Sequence, residues 1–129
     1  MSWDELFAAS VNDGVEGPIY HVALRDEWSE AVETGTAYQR STLGRTLEDV
    51  GFIHCSFAHQ IQGILDAFYA GCVDVVLLEI DPRRLAAAVR VEKAPDGPAA
   101  FPHIYGPLPL DAVTRVIAVP PDQPASRPG

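Results

Sequence analysis

The chain has few cysteines and no long apolar run, and each shortage excludes a class of protein. Its 129 residues include two cysteines, Cys55 and Cys72, which form no C-x-x-C pair. Neither a disulfide framework nor a structural metal is therefore expected. No apolar stretch approaches the roughly 18 residues of a membrane-spanning helix. Asp4 and Glu5 stand where a signal peptide needs positive charge. Together these shortages predict a cytoplasmic protein.

Basic residues are also scarce. Lys and Arg number 9 against 18 Asp and Glu, which gives a formal net charge of −9. Binding to a phosphate backbone or an anionic membrane requires a cationic surface. We therefore expect no DNA, RNA or membrane partner, although local donors could still hold one small anionic ligand.

The length and composition indicate one globular domain. Hydrophobic residues make up 47% and charged residues 21% of the chain, and this length suffices to bury a single core. Breaks near Gly14 and Gly17 predict an N-terminal extension over residues 1–17. The proline-rich residues 120–129 predict a disordered tail. The folded domain is expected over residues 18–119.

Two strand-helix units are predicted in the first half of the domain. Residues 19–23 are rich in β-formers, and the helical spacing of Trp28 and Ala31 ends near Gly35. Residues 51–55 predict a second strand. Ser56 is expected to be the N-cap of the helix that follows. The apolar stripe of that helix, closed by Gly71, comprises Phe57, Ile61, Ile64, Leu65 and Phe68.

Strands dominate the second half. Residues 73–80 read as a central strand, residues 89–92 as a half-exposed strand and residues 113–119 as a final strand. Three prolines and a glycine in residues 101–110 predict an irregular loop. Early helices followed by mainly antiparallel strands predict a single α+β domain rather than a doubly wound parallel sheet.

His21 and His54 are the first candidate site residues. Each lies in an apolar strand before a polar junction, and sites form where strands end. The alternative is that each imidazole is a satisfied core group. His59 fits a solvent-facing or capping position better. A metal site formed with His103 lacks the short ligand spacing of a metal motif, so no metal is expected.

Arg25 and the helix expected after Ser56 could together receive an anion. The alternative for Arg25 is a surface salt bridge to Glu27 or Glu30. Glu79 lies in the apolar run, and a buried carboxylate needs a partner. It either faces the site or lies at an edge facing water.

Four ordered segments resemble the DUF952 family of small bacterial proteins of unknown function. The resemblance covers about residues 19–119. That family is in turn similar to the ADP-ribosyltransferase fold, which includes RNA 2′-phosphotransferases and poly(ADP-ribose) polymerases. The segments are IYHVALRDEW, GFIHCS, VVLLEIDP and FPHIYGPLPLDAV.

The resemblance implies a cleft for NAD or a related nucleotide. A first-strand histidine that bonds the ribose would be His21, and a second-strand residue that packs on the nicotinamide would be His54. The third position is often a glutamate, and none occurs in the late loop, where His103, Tyr105 or Asp111 would replace it.

Three functions remain open. The first is a transferase that uses NAD as substrate and a protein as possible acceptor. The second is a non-enzymatic binding domain with the same pocket, and the third is an acidic protein-interaction module. In the transferase, the catalytic residues would be His21, His54 and Tyr105, and the ligand-binding residues would be Arg25, Ser56, His103, Asp111 and Glu79.

Overall fold

The computed structural model describes residues 15–42, 44–94 and 97–120. Most of the predicted N-terminal extension and nearly all of the predicted tail lie outside these ranges. The strands are β1 (Ile19–Leu24), β2 (Ile53–His54), β3 (Val75–Ile80), β4 (Val89–Lys93), β5 (Ala100–Ile104) and β6 (Val113–Val119). The α-helices are α1 (Arg25–Thr34), α2 (Leu47–Val50) and α3 (Ile61–Phe68), and short 3-10 turns cover Ala58–Gln60, Pro82–Arg84 and Leu110–Ala112.

The strands form two three-stranded sheets. The first sheet has the order β1-β3-β6 and the second has the order β2-β5-β4. Every described strand pairing is antiparallel, which confirms the predicted α+β class. The chain alternates between the two sheets, because β2 belongs to the second sheet although β1 and β3 belong to the first.

One backbone bridge joins the two sheets. The Tyr20 amide donates to the Ser56 carbonyl at 2.8 Å, and the Ser56 amide donates to the Tyr20 carbonyl at 2.7 Å. The prediction that Ser56 is the N-cap is wrong, because the N-cap position of the turn that follows is Phe57. The helical turn begins only at Ala58, where the Gln60 side chain accepts from the Phe57 amide at 3.0 Å.

Both sheets contribute to the main core. Ile19 and Leu78 of the first sheet join Ile53 and Ile104 of the second, and Trp28 packs on them from α1. Burying one such aliphatic side chain contributes about 1.5–3 kcal/mol. Val15, which falls in the predicted extension, also belongs to this cluster.

A second apolar cluster lies on the other face of the first sheet. Ile64 and Leu65 of α3 pack there against Val22 and Leu77. Neighbouring residues on a strand point to opposite faces, which is why Val22 meets α3 while Ala23 joins the main core. Helix α3 thus covers the face of the first sheet that the main core leaves open.

Pro102 lies inside β5, the central strand of the second sheet, where an irregular loop was predicted. That prediction is wrong for residues 101–104. The Pro102 carbonyl accepts from the Cys55 amide at 3.0 Å. In an antiparallel strand the backbone N and O of one residue point to the same neighbouring strand. The N–H that Pro102 lacks would therefore point to the position just after the end of β2. The strand therefore tolerates Pro102, and the irregular path begins only after Ile104.

The helices are short. None of those in the described ranges combines the length and the apolar character needed to cross a bilayer.

Candidate functional site

A cavity of about 550 Å³ lies between α3 and the second sheet. Ile53 and Ile104 point into the main core, so the adjacent residues of β2 and β5 point the other way, toward α3. The volume falls within the roughly 300–1,000 Å³ typical of ligand pockets. The lining residues are Phe52, His54, Gln60, Gly63, Ile64, Ala67, Phe68, Lys93, Ala94, Gly97, Ala99, Phe101 and His103.

Strand pairing brings two histidines together at this cavity. His54 of β2 lies directly opposite His103 of β5, with ring centroids 5.3 Å apart. Phe101 lies 5.0 Å from the His54 ring, and Phe52 stacks on the His103 ring at 3.9 Å and 13°. The wall of the cavity is therefore aromatic, with two imidazoles set into it.

His54 remains neutral near pH 7. Burial, followed by the neighbouring His103 and His21, lowers its pKa to about 4. No hydrogen bond joins its ring to another residue in the described ranges. A neutral imidazole offers one donor and one acceptor, so both are available to a bound molecule.

His103 has a carboxylate partner behind it. Its Nδ1 lies 2.7 Å from Glu92 Oε1, and the same oxygen accepts from the Tyr105 hydroxyl at 2.5 Å. The bonds from Tyr105 and His103 hold the pKa of Glu92 below its usual range. The bond to Glu92 raises the pKa of Tyr105.

His21 matches the alternative interpretation, that of a core histidine whose two ring nitrogens are hydrogen-bonded within the protein. It lies in the middle of β1, because the strand continues to Leu24, and it is fully buried. Its Nδ1 lies 2.7 Å from the His54 carbonyl and its Nε2 lies 3.1 Å from the Tyr38 hydroxyl. Burial lowers its pKa to about 4. The prediction that His21 projects from a strand end into an open cleft is therefore wrong.

The small space beside His21 does not replace that cleft. It measures about 10 Å³ and is bordered by His21, His54 and Ser56. Such a volume holds about one water molecule. Ser56 is buried there, so it is not an exposed anion-binding group.

Arg25 does not line the main cavity. It is the exposed first residue of α1, and its amide donates to the Asp74 carbonyl at 2.7 Å. The salt bridges expected at Glu27 and Glu30 come from Arg40 instead, at 3.5 and 3.6 Å. Lys93 is the basic residue that borders the cavity.

Glu79 and Asp111 also lie away from the cavity lining. Glu79 lies near water, as in the second of the two positions expected for it. Its carboxylate accepts hydrogen bonds from the Thr114 hydroxyl at 2.8 Å and from the Tyr20 hydroxyl at 3.0 Å. These bonds lower the pKa of Glu79, with Thr114 contributing most. Asp111 is exposed, and its carbonyl accepts from Arg84.

Of the predicted site residues, the structure therefore brings together His54 and His103 at the main cavity, with Tyr105 linked to them through Glu92. Sequence reasoning missed Glu92, Phe52 and Phe101. One available signal was the alternation of residues 89–92, which places Glu92 on the face of β4 away from the main core. Within the described ranges, no group of three or more His, Cys, Asp or Glu residues is arranged to hold a metal ion.

Comparison with known proteins gives a family and similar solved structures. Residues 22–116 match the family described as "Protein of unknown function (DUF952)". The crystal structure of protein CC0527 from Caulobacter crescentus has 31% identity and a TM-score of 0.65, covering 77% of this chain and 82% of that one. The solution NMR structure of CC0527 has 31% identity and a TM-score of 0.62, covering 79% and 84%. A search of curated proteins found no match.

Proposed function

Because the chain belongs to the DUF952 family, whose function is unknown, we propose a function from its site: binding of a small, flat, mainly apolar molecule between α3 and the second sheet. The nicotinamide or base end of NAD or a related nucleotide is the candidate that we rank first. The observation that carries the proposal is the His54 ring in the wall of a large apolar cavity, where no described residue forms a hydrogen bond with it.

The apolar part of the cavity favours a flat ring. Phe52 and Phe101 line the sheet side, and Ala67 and Phe68 line the helix side. Phe68 is 59% exposed although it is a large apolar residue. An aromatic ligand against these rings would gain about 0.5–1.5 kcal/mol per ring pair beyond the burial of area.

The polar part favours an uncharged group that both donates and accepts hydrogen bonds. His54 offers one of each, and a carboxamide or a ring nitrogen matches that pair. Lys93 is the basic group at this cavity and supplies positive charge for a phosphate. In a nucleotide complex Lys93 would therefore take the role first assigned to Arg25.

A binding site that does not turn over NAD fits this geometry better than an NAD-dependent transferase. The buried His21 uses both nitrogens within the protein, so it has none left for a ribose hydroxyl. Release of nicotinamide from NAD, measured with protein in excess, would separate the two, because only a transferase or hydrolase breaks that bond.

Isothermal titration tests the binding proposal directly. NAD, ADP-ribose, nicotinamide and adenosine are titrated up to millimolar concentration, and saturable binding of at least one is expected. His54→Ala should weaken binding by about 1–3 kcal/mol, the cost of losing a buried polar partner.

A cavity-filling variant provides the matched comparison. Ala67→Trp places an indole in the cavity and should abolish binding, whereas Gln62→Trp adds the same group at an exposed position of the same helix and should leave binding unchanged. Melting temperatures check that both variants fold. Absence of binding by all four compounds, or undiminished binding by Ala67→Trp, would refute the proposal.

A further inference from the structure

His103 differs from His54 in having a carboxylate behind its ring. Glu92 does not line the cavity, whereas His103 does. The carboxylate oxygen can only accept, so the Nδ1 of a neutral His103 carries the proton and donates it to Glu92. The Nε2 atom then carries a lone pair. Among the described residues, none forms a hydrogen bond with that atom.

The ring of His103 is held in place on several sides. Phe52 stacks on it, β5 is the central strand, and the side chain is only 10% exposed. Glu92 is 39% exposed at its side chain, so the pair lies at the border between the cavity and water. The titratable or charged groups around the ring are Glu92 and Arg90 of β4, His54 of β2, and Lys93 and Tyr105 nearby.

A histidine oriented by a carboxylate is suited to proton transfer. The carboxylate fixes the tautomer and stabilises the imidazolium when Nε2 takes up a proton. Lys93 and His54 supply hydrogen-bond donors at the same cavity. Such donors stabilise a carbonyl oxygen that gains negative charge during the reaction.

We propose that His103 is a general base that activates water against the acyl carbon of a small aromatic ester held in the cavity, with Glu92 as its positioning residue. Nε2 takes a proton from the water as the water oxygen bonds to the acyl carbon. The carbon–oxygen bond to the alcohol breaks, and the proton passes from Nε2 to the departing alcohol. The products are one carboxylic acid and one alcohol. This inference rests on the proposed binding function, because the cavity must hold the ester.

Hydrolysis of 4-nitrophenyl acetate by the full chain tests the step. The wild-type protein should show saturable hydrolysis, and His103→Gln and His103→Ala should lower kcat/KM by about 100-fold or more. His59→Ala, at an exposed imidazole, measures the background of surface histidines and should leave kcat/KM unchanged. Equal rates in the wild type and both His103 variants would overturn the proposal.

Glu92→Gln separates positioning from a structural role. It should lower kcat about tenfold with little change in KM, and Glu92→Asp should restore part of the rate. An unchanged kcat in Glu92→Gln, or no recovery in Glu92→Asp, would contradict the role assigned to Glu92.

A stable analogue separates this inference from the binding proposal. 4-Nitroacetanilide carries an amide in place of the ester, and its binding can be titrated without turnover. One outcome is that the wild type and His103→Gln both bind the amide and also hydrolyse the ester at the same rate. In that case the general base is refuted and the binding site stands. If the wild type neither binds the amide nor shows saturation with the ester, both proposals fail.

Discussion

Mild acid should destabilise this protein through His21. The imidazole is buried, and its pKa in the folded chain is about 4 against an ordinary value of 6.5. Between these values the unfolded chain binds a proton that the folded chain does not, so stability falls as the pH falls. Above about 6.5 both states are neutral and this effect is absent. Below about 4 both states are protonated and the loss no longer grows.

The size of the effect follows from that window. Each unit of pH within it changes the free energy of unfolding by about 1.4 kcal/mol. Acidification from the upper limit of the window to about pH 5 should therefore remove about 2 kcal/mol through His21 alone. The half-buried His54, whose pKa is also about 4, adds to the loss in the same direction.

Comparison with His21→Gln isolates the contribution of His21. Glutamine at this position does not titrate, so the variant lacks the His21 contribution while His54 remains in both proteins. The free energy of unfolding of the wild type minus that of the variant, measured with urea, should fall by about 2 kcal/mol between about pH 7 and pH 5. His59→Gln is the matched control at an exposed imidazole and should follow the wild type. A wild-type advantage that stays constant over this range would refute the reasoning.

Two further predictions concern stability. Tyr38→Phe removes the hydroxyl that bonds the buried Nε2 of His21, so urea unfolding should show a loss of about 1–3 kcal/mol; no loss would mean that the bond contributes nothing. Gly106→Ala would place a Cβ atom 2.6 Å from the Cβ of Ala87. Thermal unfolding should show a cost of about 1–3 kcal/mol from overpacking, and adding Ala87→Gly should recover much of it. The steric explanation fails if the double variant is no more stable than Gly106→Ala.

Local patterns in the sequence predicted most of the elements. The apolar alternation and the turn residues indicated β1, α1, α3, β3, β4 and β6, and their order indicated the α+β class. Helix α2 was missed, although its capping box of Thr46 and Asp49 is present in the sequence. A helix of four residues leaves too little periodicity to detect.

The candidate site was harder to predict, because it depends on distant strand pairings. His54 faces His103 only because β2 pairs with β5 across about 50 residues of chain, and no local pattern encodes that pairing. His21 illustrates the reverse error. Its position before a junction suggested a strand end, but β1 continues to Leu24. The second ring nitrogen of His21 is also hydrogen-bonded, to the hydroxyl of Tyr38 in a distant loop.

The alternation of the chain between the two sheets constrains how the protein can acquire its structure. The first sheet needs residues 19–24, 75–80 and 113–119, so it is completed only when nearly the whole domain is present. Fragments that stop before β6 would leave β3 with an unpaired edge. Such distant contacts raise the contact order, which slows folding. We therefore expect C-terminal truncations that remove β6 to be prone to aggregation, and folding to be cooperative rather than sheet by sheet.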